Sequence, residues 1–336
     1  MAFIFAFSCG FIDSHALSAE AYALYDPLTE CFIAEENGDK KLSMASTTKI
    51  MTSLLCAEYI EKYGNKEIEV TNDMVKVEGS ALGLKAGDRI TLDMLVIGML
   101  LASGNDAANT AAFAVAGNLD AFSKLMNKKA KELSLENTSF VTPSGLDSEG
   151  HFSTAKDMAK LASVAMENKF FRSVASSEKM SVSYYSAERK SDITVYLKNH
   201  NKLLSLLEGC VGVKTGFTKK SGRCLVSAIE KDGSFLVAVT LNAPDDWNDH
   251  IALYSIAFEK RKSYGIKNKS FSIVTADGEK IYLKLENNKV IYYFSNGKIE
   301  EKIYLPRFVY KNNLRNSGRV DYILNGKVIE SRNIGI

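Results

Sequence analysis

The chain has 336 residues, 46% hydrophobic and 24% charged, enough to bury at least one large core in one or two domains. Its 42 Lys and Arg nearly cancel 40 Asp and Glu, which excludes the broad basic footprint of a nucleic-acid binder and favours a small charged or peptide-like ligand. The 4 histidines are scattered and the 5 cysteines form no C-x-x-C pair, so no metal or cofactor is assigned.

The chain opens on "MAFIFAFSCGFI", an apolar run followed by small residues at Ala16 and Ala21. It is shorter than the roughly 18 to 20 residues that span a bilayer, so residues 1–17 are read as a signal peptide for export. No Lys or Arg precedes the run, which makes the signal atypical; the alternative is a buried N-terminal segment. "SAEAYALYD" and "ECFIAEEN" then predict a hairpin around Pro27. A largely helical stretch is expected from Ser46 to about Lys169, with the Ala- and Leu-rich "MLVIGMLLASGNDAANTAAFAVAG" at the buried centre of a helical layer.

Beyond Cys210, "GCVGVKTGFT", "GRCLVSAIE" and "SFLVAVTLNA" predict three antiparallel strands, the last two joined at Asp232-Gly233. "DDWNDHIALYSIAFEKRKS" predicts a closing helix. Strands at both ends of a helical middle describe an α+β domain with an antiparallel sheet, placed at residues 18–261. Short alternating runs from 262 to 336, separated by Asp277-Gly278, Asn296-Gly297 and Asn325-Gly326, predict a small all-β domain. The final run alternates like a strand and shows no amphipathic helical face, so membrane association stays open.

Three short stretches carry the chemistry. "MASTTKIMTSLL" places Ser46 and Lys49 at i and i+3 where an apolar helix begins. One reading is a capped core helix with Ser46 or a neighbouring Thr as N-cap; the other is a serine nucleophile whose lysine, withdrawn from water, loses its proton readily enough to act as base. Spacing alone does not choose, because Ser153 to Lys156, Ser176 to Lys179 and Ser295 to Lys298 repeat it. "LLASGNDAANTAA" offers the Ser103 hydroxyl for proton relay and the Asn105 amide for a substrate carbonyl, or else a capped helix junction. In "VGVKTGFT", Lys214 and the Thr215 hydroxyl suit a terminal carboxylate, with Gly216 admitting close backbone approach; the alternative is a strand with one exposed lysine.

Taken in order, Ser46-x-x-Lys49, Ser103-x-Asn105 and Lys214-Thr215-Gly216 resemble the three signature motifs of the serine penicillin-recognising enzymes. More narrowly, "MASTTKIMT", "ASGNDAAN", "PSGLDSEGHFSTAKDMAKLA" and "GVKTGFTKKSGRCLVSA" are similar to the D-alanyl-D-alanine carboxypeptidases of the low-molecular-weight penicillin-binding proteins, over about Ser18 to Lys260. The resemblance implies a β-lactamase/transpeptidase-like catalytic fold and an exported protein acting outside the cytoplasm at the cell wall. It implies a peptidoglycan stem peptide ending in D-Ala-D-Ala as substrate and β-lactam antibiotics as inhibitors. It implies that Ser46 forms an acyl-enzyme, that Lys49 accepts its proton and that Ser103 relays a proton to the leaving amine. Asn105, Lys214, Thr215 and Gly216 would bind substrate, and the backbone N–H groups of Ser46 and Phe217 would form the oxyanion hole.

In "PSGLDSEGHFSTAKD", the resemblance makes His151 part of a structural loop rather than a general base, and Ser153 is read as the cap of the following helix. Three rivals remain: a D,D-endopeptidase using the same residues, a non-catalytic penicillin-binding sensor, and a class A β-lactamase. The last needs a deacylating glutamate, and neither Glu167 nor Glu208 has the expected local context.

Overall fold

In the computed structural model the described residues are 17–276, 278–286, 289–294, 297–306 and 318–335. Residues 1–16 of the expected export segment, Cys9 among them, the turn residues Asp277 and Asn296, and Ser295 of one S-x-x-K repeat therefore lie outside them. In chain order the first elements are β1 (Ala21–Asp26), β2 (Cys31–Glu36), α1 (Lys49–Tyr63), β3 (Glu67–Glu69), α2 (Asn72–Val75) and β4 (Arg89–Thr91). Next come α3 (Leu92–Leu101), α4 (Asn105–Ala116), α5 (Leu119–Glu132), α6 (Ala155–Ala165) and α7 (Lys169–Ala175). They are followed by β5 (Lys179–Ser186), β6 (Ser191–Lys198), α8 (Leu203–Leu206), β7 (Cys210–Thr218), β8 (Gly222–Lys231), β9 (Ser234–Leu241) and α9 (Asp246–Lys260).

The terminal strands of this region join in one five-stranded antiparallel sheet of order β2-β1-β9-β8-β7. Strands β8 and β9 are buried on both faces, which explains why they read as continuous apolar runs rather than alternating ones. One face packs on α9 through Leu24, Leu236, Ala238, Leu253 and Ala257. The other meets the main core, to which α1, α3, α4 and α6 contribute. Helix α3 is buried nearly all round, and its neighbour α4 presents Ala107, Ala108, Ala111 and Ala112 to the core. Small side chains there let two helices approach closely while adding little side-chain entropy cost.

The long helical stretch expected from Ser46 to Lys169 is interrupted. β3 and β4 pair with β5 and β6 in a second, four-stranded antiparallel sheet of order β3-β4-β5-β6. β3 and β4 have only 3 residues each, too short for a period of two to register. β5 and β6 alternate plainly, with Met180, Val182, Tyr184, Ile193, Val195 and Leu197 packed on the core and Lys179, Ser181, Ser183, Asp192, Thr194 and Lys198 exposed; this period of two falls between Lys169 and Cys210, a stretch to which no expected element is assigned.

From residue 262 the described strands are β10 (Lys262–Gly265), β11 (Lys269–Val274), β12 (Lys280–Leu285), β13 (Val290–Tyr293), β14 (Ile299–Tyr304), β15 (Gly318–Leu324) and β16 (Lys327–Ile334). They surround a separate hydrophobic cluster that includes Leu283, Leu285, Val320, Tyr322 and Ile334. Asn325 and Gly326 form the β15–β16 turn with positive φ values of 52° and 82°, the left-handed pair that a two-residue hairpin demands. Among the described residues no helix is long and apolar enough to cross a membrane.

Candidate active site

Ser46 lies in a 3₁₀ turn, Ala45–Thr48, and Lys49 is the first residue of α1 behind it. With three residues per turn, positions i and i+3 eclipse, and Lys49 Nζ sits 3.0 Å from Ser46 Oγ. The hydroxyl cap expected here does not form: neither the 3₁₀ turn nor α1 has a side-chain capping bond. Thr47 Oγ1 donates to the Met44 carbonyl at 2.6 Å, and Thr48 Oγ1 lies 2.9 Å from His151 Nε2. The neighbouring threonines are thus occupied by local structure, and Ser46 is left at the cleft. The residue before it, Ala45, is held at φ 47°, a left-handed conformation that costs a non-glycine residue about 1–2 kcal/mol.

Lys49 Nζ has two closer partners, Asn105 Oδ1 and the Ser144 carbonyl, each at 2.6 Å. Both are neutral oxygens. Burial, then the charge of Lys214, hold the Lys49 ammonium well below its ordinary 10.5, while Asp106 pulls weakly the other way. With two N–H groups committed to carbonyl oxygens, the direction toward Ser46 is where a neutral amine carries its lone pair. The arrangement can therefore take a proton from the Ser46 hydroxyl.

The loop containing Ser144 is fixed against the same turn. Gly145 has φ 85°, and a Cβ there would fall 2.0 Å from the Ala45 carbonyl oxygen. His151 belongs to this support: its Nδ1 accepts from the Val141 N–H at 2.9 Å, and burial lowers its pKa to about 4. The helix after this loop is capped by Thr154, whose side chain accepts from the Asp157 N–H, and not by Ser153, whose hydroxyl pairs with Thr138 at 2.7 Å. The competing S-x-x-K pairs have other partners: Lys156 is drawn to Asp39 and Glu35, and Ser176 donates to the Arg172 carbonyl.

Ser103 follows α3 at φ 59°, a second strained non-glycine residue beside the site. It lines the cleft with Ser46, Thr215, Gly216 and Phe217. Asn105, Lys49 and Lys214 stand behind that wall, all at most 4% exposed. Asn105 uses both ends of its amide within the protein, since its Nδ2 donates to the Glu78 carbonyl at 2.7 Å. Lys214 Nζ donates to the Thr215 carbonyl at 2.9 Å, and burial pushes its pKa down to about 7. β7 is the edge strand of its sheet, so alternate backbone groups remain open to a peptide. Gly216 makes room for the serine: a Cβ there would lie 3.0 Å from Ser46 N.

The cleft has a volume of about 920 Å³, and its remaining walls include Tyr196 to Lys198 of β6 and the trio Arg223, Asp246 and Trp247. The sequence motifs did not single out this trio. Asp106 is a further unforeseen member: its carboxylate accepts from the N–H groups of Leu82, Gly83, Leu84 and Ala107 at 2.8–3.0 Å, anchoring the segment next to Asn105. Glu167 and Glu208, weighed for a lactamase water, do not line the cleft, and Glu208 pairs instead with Lys231.

The sequence profile of the D-alanyl-D-alanine carboxypeptidase family matches residues 11–245. The chain belongs to this family. Among curated members it is 31% identical over 286 residues to D-alanyl-D-alanine carboxypeptidase DacF of Bacillus subtilis, covering 82% of this chain and 72% of that protein. It is 33% identical over 252 residues to DacC of Escherichia coli, covering 70% and 59% respectively. Among solved structures, the Streptomyces K15 DD-transpeptidase superposes with a TM-score of 0.68 at 28% identity, over 72% of this chain and 98% of that one. The D-alanyl-D-alanine carboxypeptidase DacD of Francisella tularensis gives 0.69 at 25% identity over 95% and 92%. The fold of this family member is thus the penicillin-binding DD-peptidase fold, followed here by strands β10 to β16.

Proposed function

We propose that this family member is a serine D-alanyl-D-alanine carboxypeptidase that removes the last D-alanine of a peptidoglycan stem pentapeptide. Lys49 takes the Ser46 proton as Oγ attacks the carbonyl carbon between the two D-alanines. The negative charge that develops on the carbonyl oxygen meets the backbone N–H groups of Ser46 and Phe217, a type of contact whose single donors are worth about 3–4 kcal/mol. Collapse breaks the C–N bond, and the departing amine receives its proton by way of Ser103. Water then cleaves the Ser46 ester, with the Lys49 amine again taking a proton. Asn105, whose amide is engaged at both ends inside the protein, orients Lys49, and Lys214 tunes Lys49 electrostatically.

One observation carries this reading: a lysine amine whose pKa burial holds well below its ordinary value, 3.0 Å from a serine hydroxyl at the floor of an open cleft. β-Lactams would be inhibitors because they acylate the same hydroxyl. The same reading places the protein outside the cytoplasm, at the cell wall. It divides the chain into an export segment at 1–17, a catalytic domain at 18–261 and a β-rich domain at 262–336, the last supported by its separate hydrophobic cluster.

The test is direct. A fluorescent penicillin should label the protein covalently and Ser46→Ala should abolish labelling while the fold survives; a labelled Ala variant would refute the nucleophile. Purified muropeptides should release free D-alanine from the pentapeptide. Cleavage of cross-linked dimers alone would make the protein an endopeptidase instead.

A further inference from the structure

Beside the cleft lies a second cavity that the chemistry at Ser46 does not use. It has a volume of about 390 Å³ and is lined by Lys179, Met180 and Ser181 of β5 and by Tyr196, Leu197 and Lys198 of β6. Tyr196, Leu197 and Lys198 also line the cleft itself, so the two spaces adjoin along the end of β6. The register of the hairpin sets what faces outward there. Lys179 pairs directly with Lys198, and Ser181 with Tyr196, so two ammonium groups, a hydroxyl and a phenol ring share one face. The alternate pair, Met180 and Leu197, packs against the main core.

Like charges directly opposite each other on neighbouring strands destabilise a sheet. A lysine on an edge strand is ordinary protection against pairing with other chains, and β6 is the edge of its sheet. That accounts for Lys198. It does not account for Lys179, which lies on β5 between β4 and β6. Both lysines are exposed, and among the described residues neither is drawn into an ion pair. An anion seated between them turns the repulsion into two charge-assisted contacts. Tyr196 is 85% exposed beside them, a flat surface at the junction of cavity and cleft, and Lys202 adds a third cation to the cleft wall.

We propose that Lys179 and Lys198 form a subsite for an anionic group on the upstream half of the peptide, the part that stays on Ser46 when D-alanine leaves, with Tyr196 as the surface against which that chain lies. The enzyme then prefers stem peptides that carry a free carboxylate ahead of the two D-alanines. The inference rests on Ser46 being the nucleophile, and it concerns the acyl side of the bond cut, which removal of a terminal D-alanine leaves unspecified.

The experiment uses the full chain and two synthetic pentapeptides ending in D-Ala-D-Ala. They are identical except that the second residue is γ-linked D-glutamate in one and its α-carboxamide, D-isoglutamine, in the other. The native enzyme should hydrolyse the acid with a kcat/KM about 5- to 20-fold higher, and this preference should shrink at about 0.5 M salt, where exposed charges are screened. Lys198→Gln should cut the preference about 2- to 5-fold, the range of one exposed ion pair, and Lys179→Gln by a similar factor. In the double variant the two peptides should be hydrolysed alike. Thermal unfolding should show no loss of stability, since each substitution removes a like-charge opposition. Lys124→Gln with Lys128→Gln, on α5 and outside the cleft walls, should keep the preference; an equal loss there would reduce the effect to net charge and overturn the subsite. Equal hydrolysis of both peptides by the native enzyme, or a preference that survives the double variant, would also overturn it while labelling of Ser46 by fluorescent penicillin stays intact. A native protein that neither labels nor hydrolyses would overturn the Ser46 reading and this inference with it.

Discussion

Replacing Lys214 by methionine should make the protein more stable and less active, and the size of both effects depends on pH. Lys214 is 1% exposed, and burial lowers its pKa from 10.5 to about 7. In the unfolded chain the same group stays protonated up to about 10.5. Between these two values the unfolded state binds a proton that the folded state does not, so stability rises with pH across that window and sits at its low plateau below pH 7. At about 1.36 kcal/mol per pH unit, the full penalty on the plateau is on the order of 4–5 kcal/mol.

Methionine has a similar reach and no charge. It forfeits the hydrogen bond to the Thr215 carbonyl, worth about 1 kcal/mol. The expected net gain is about 3 kcal/mol at pH 6, or about 5 to 10 °C in the melting temperature of the catalytic region. It should shrink toward zero near pH 10. Catalysis should move the opposite way. The Lys214 charge is the second cause of the depressed Lys49 pKa, so its loss returns Lys49 toward the protonated form. Acylation by a penicillin should slow near neutrality, with the rising limb of its pH–rate profile displaced to higher pH. Thermal scans from pH 6 to 10 and stopped-time labelling measure both. A variant less stable at pH 6, or a stability gain that ignores pH, would refute the account of Lys214 as a destabilising buried charge.

Two further substitutions probe the neighbouring contacts. Gly216→Ala puts a methyl 3.0 Å from Ser46 N and 3.1 Å from the Met44 carbonyl, so acylation should fall about tenfold or more while overpacking costs about 1–3 kcal/mol; unaltered labelling would show that β7 does not frame the serine. Asp106→Asn trades a carboxylate that satisfies 4 backbone N–H groups for an amide that brings donors of its own, at an expected cost of about 2–4 kcal/mol by denaturant unfolding. Because Asp106 raises the Lys49 pKa, this variant should shift the acylation limb to lower pH, the reverse of Lys214→Met. Shifts of the same sign in both variants would contradict the electrostatics described.

Where the sequence was legible, local pattern and tertiary role coincide. β1, β2, β7, β8, β9 and α9 were readable because their apolar runs and turns are the elements' own property. The second sheet is legible only in half: β3 and β4 are three-residue strands, too short to show a period, whereas β5 and β6 do alternate, with Met180, Val182, Tyr184, Ile193, Val195 and Leu197 on the covered face. At the site, the motifs picked out the residues gathered around Ser46, but not which of them face the cleft. Lys214 and Arg223 show the difference: neither exposure nor partner is encoded by spacing, and only the register Phe217↔Arg223 brings the arginine to the wall. The cap at Thr154 rather than Ser153 is a one-residue version of the same limit.

The site's economy lies in what it withholds from Lys49. A buried ammonium is ordinarily kept charged by an adjacent carboxylate, and one is available: Asp106 follows Asn105 directly. The chain instead turns that carboxylate onto 4 backbone N–H groups and presents the neutral Asn105 Oδ1 to the amine. Exchanging the two residues would lose hydrogen bonds at both positions, since a carboxylate at 105 could not donate to the Glu78 carbonyl and an amide at 106 would bring donors against backbone N–H groups. A carboxylate 2.6 Å from Nζ would also keep Lys49 protonated, against the base role proposed for it. The order Asn-Asp at 105 and 106 therefore matters as much as the Ser-x-x-Lys spacing. One residue keeps the proposed base hydrogen-bonded without charging it, and the next sets its charge against the segment that holds Asn105 in place.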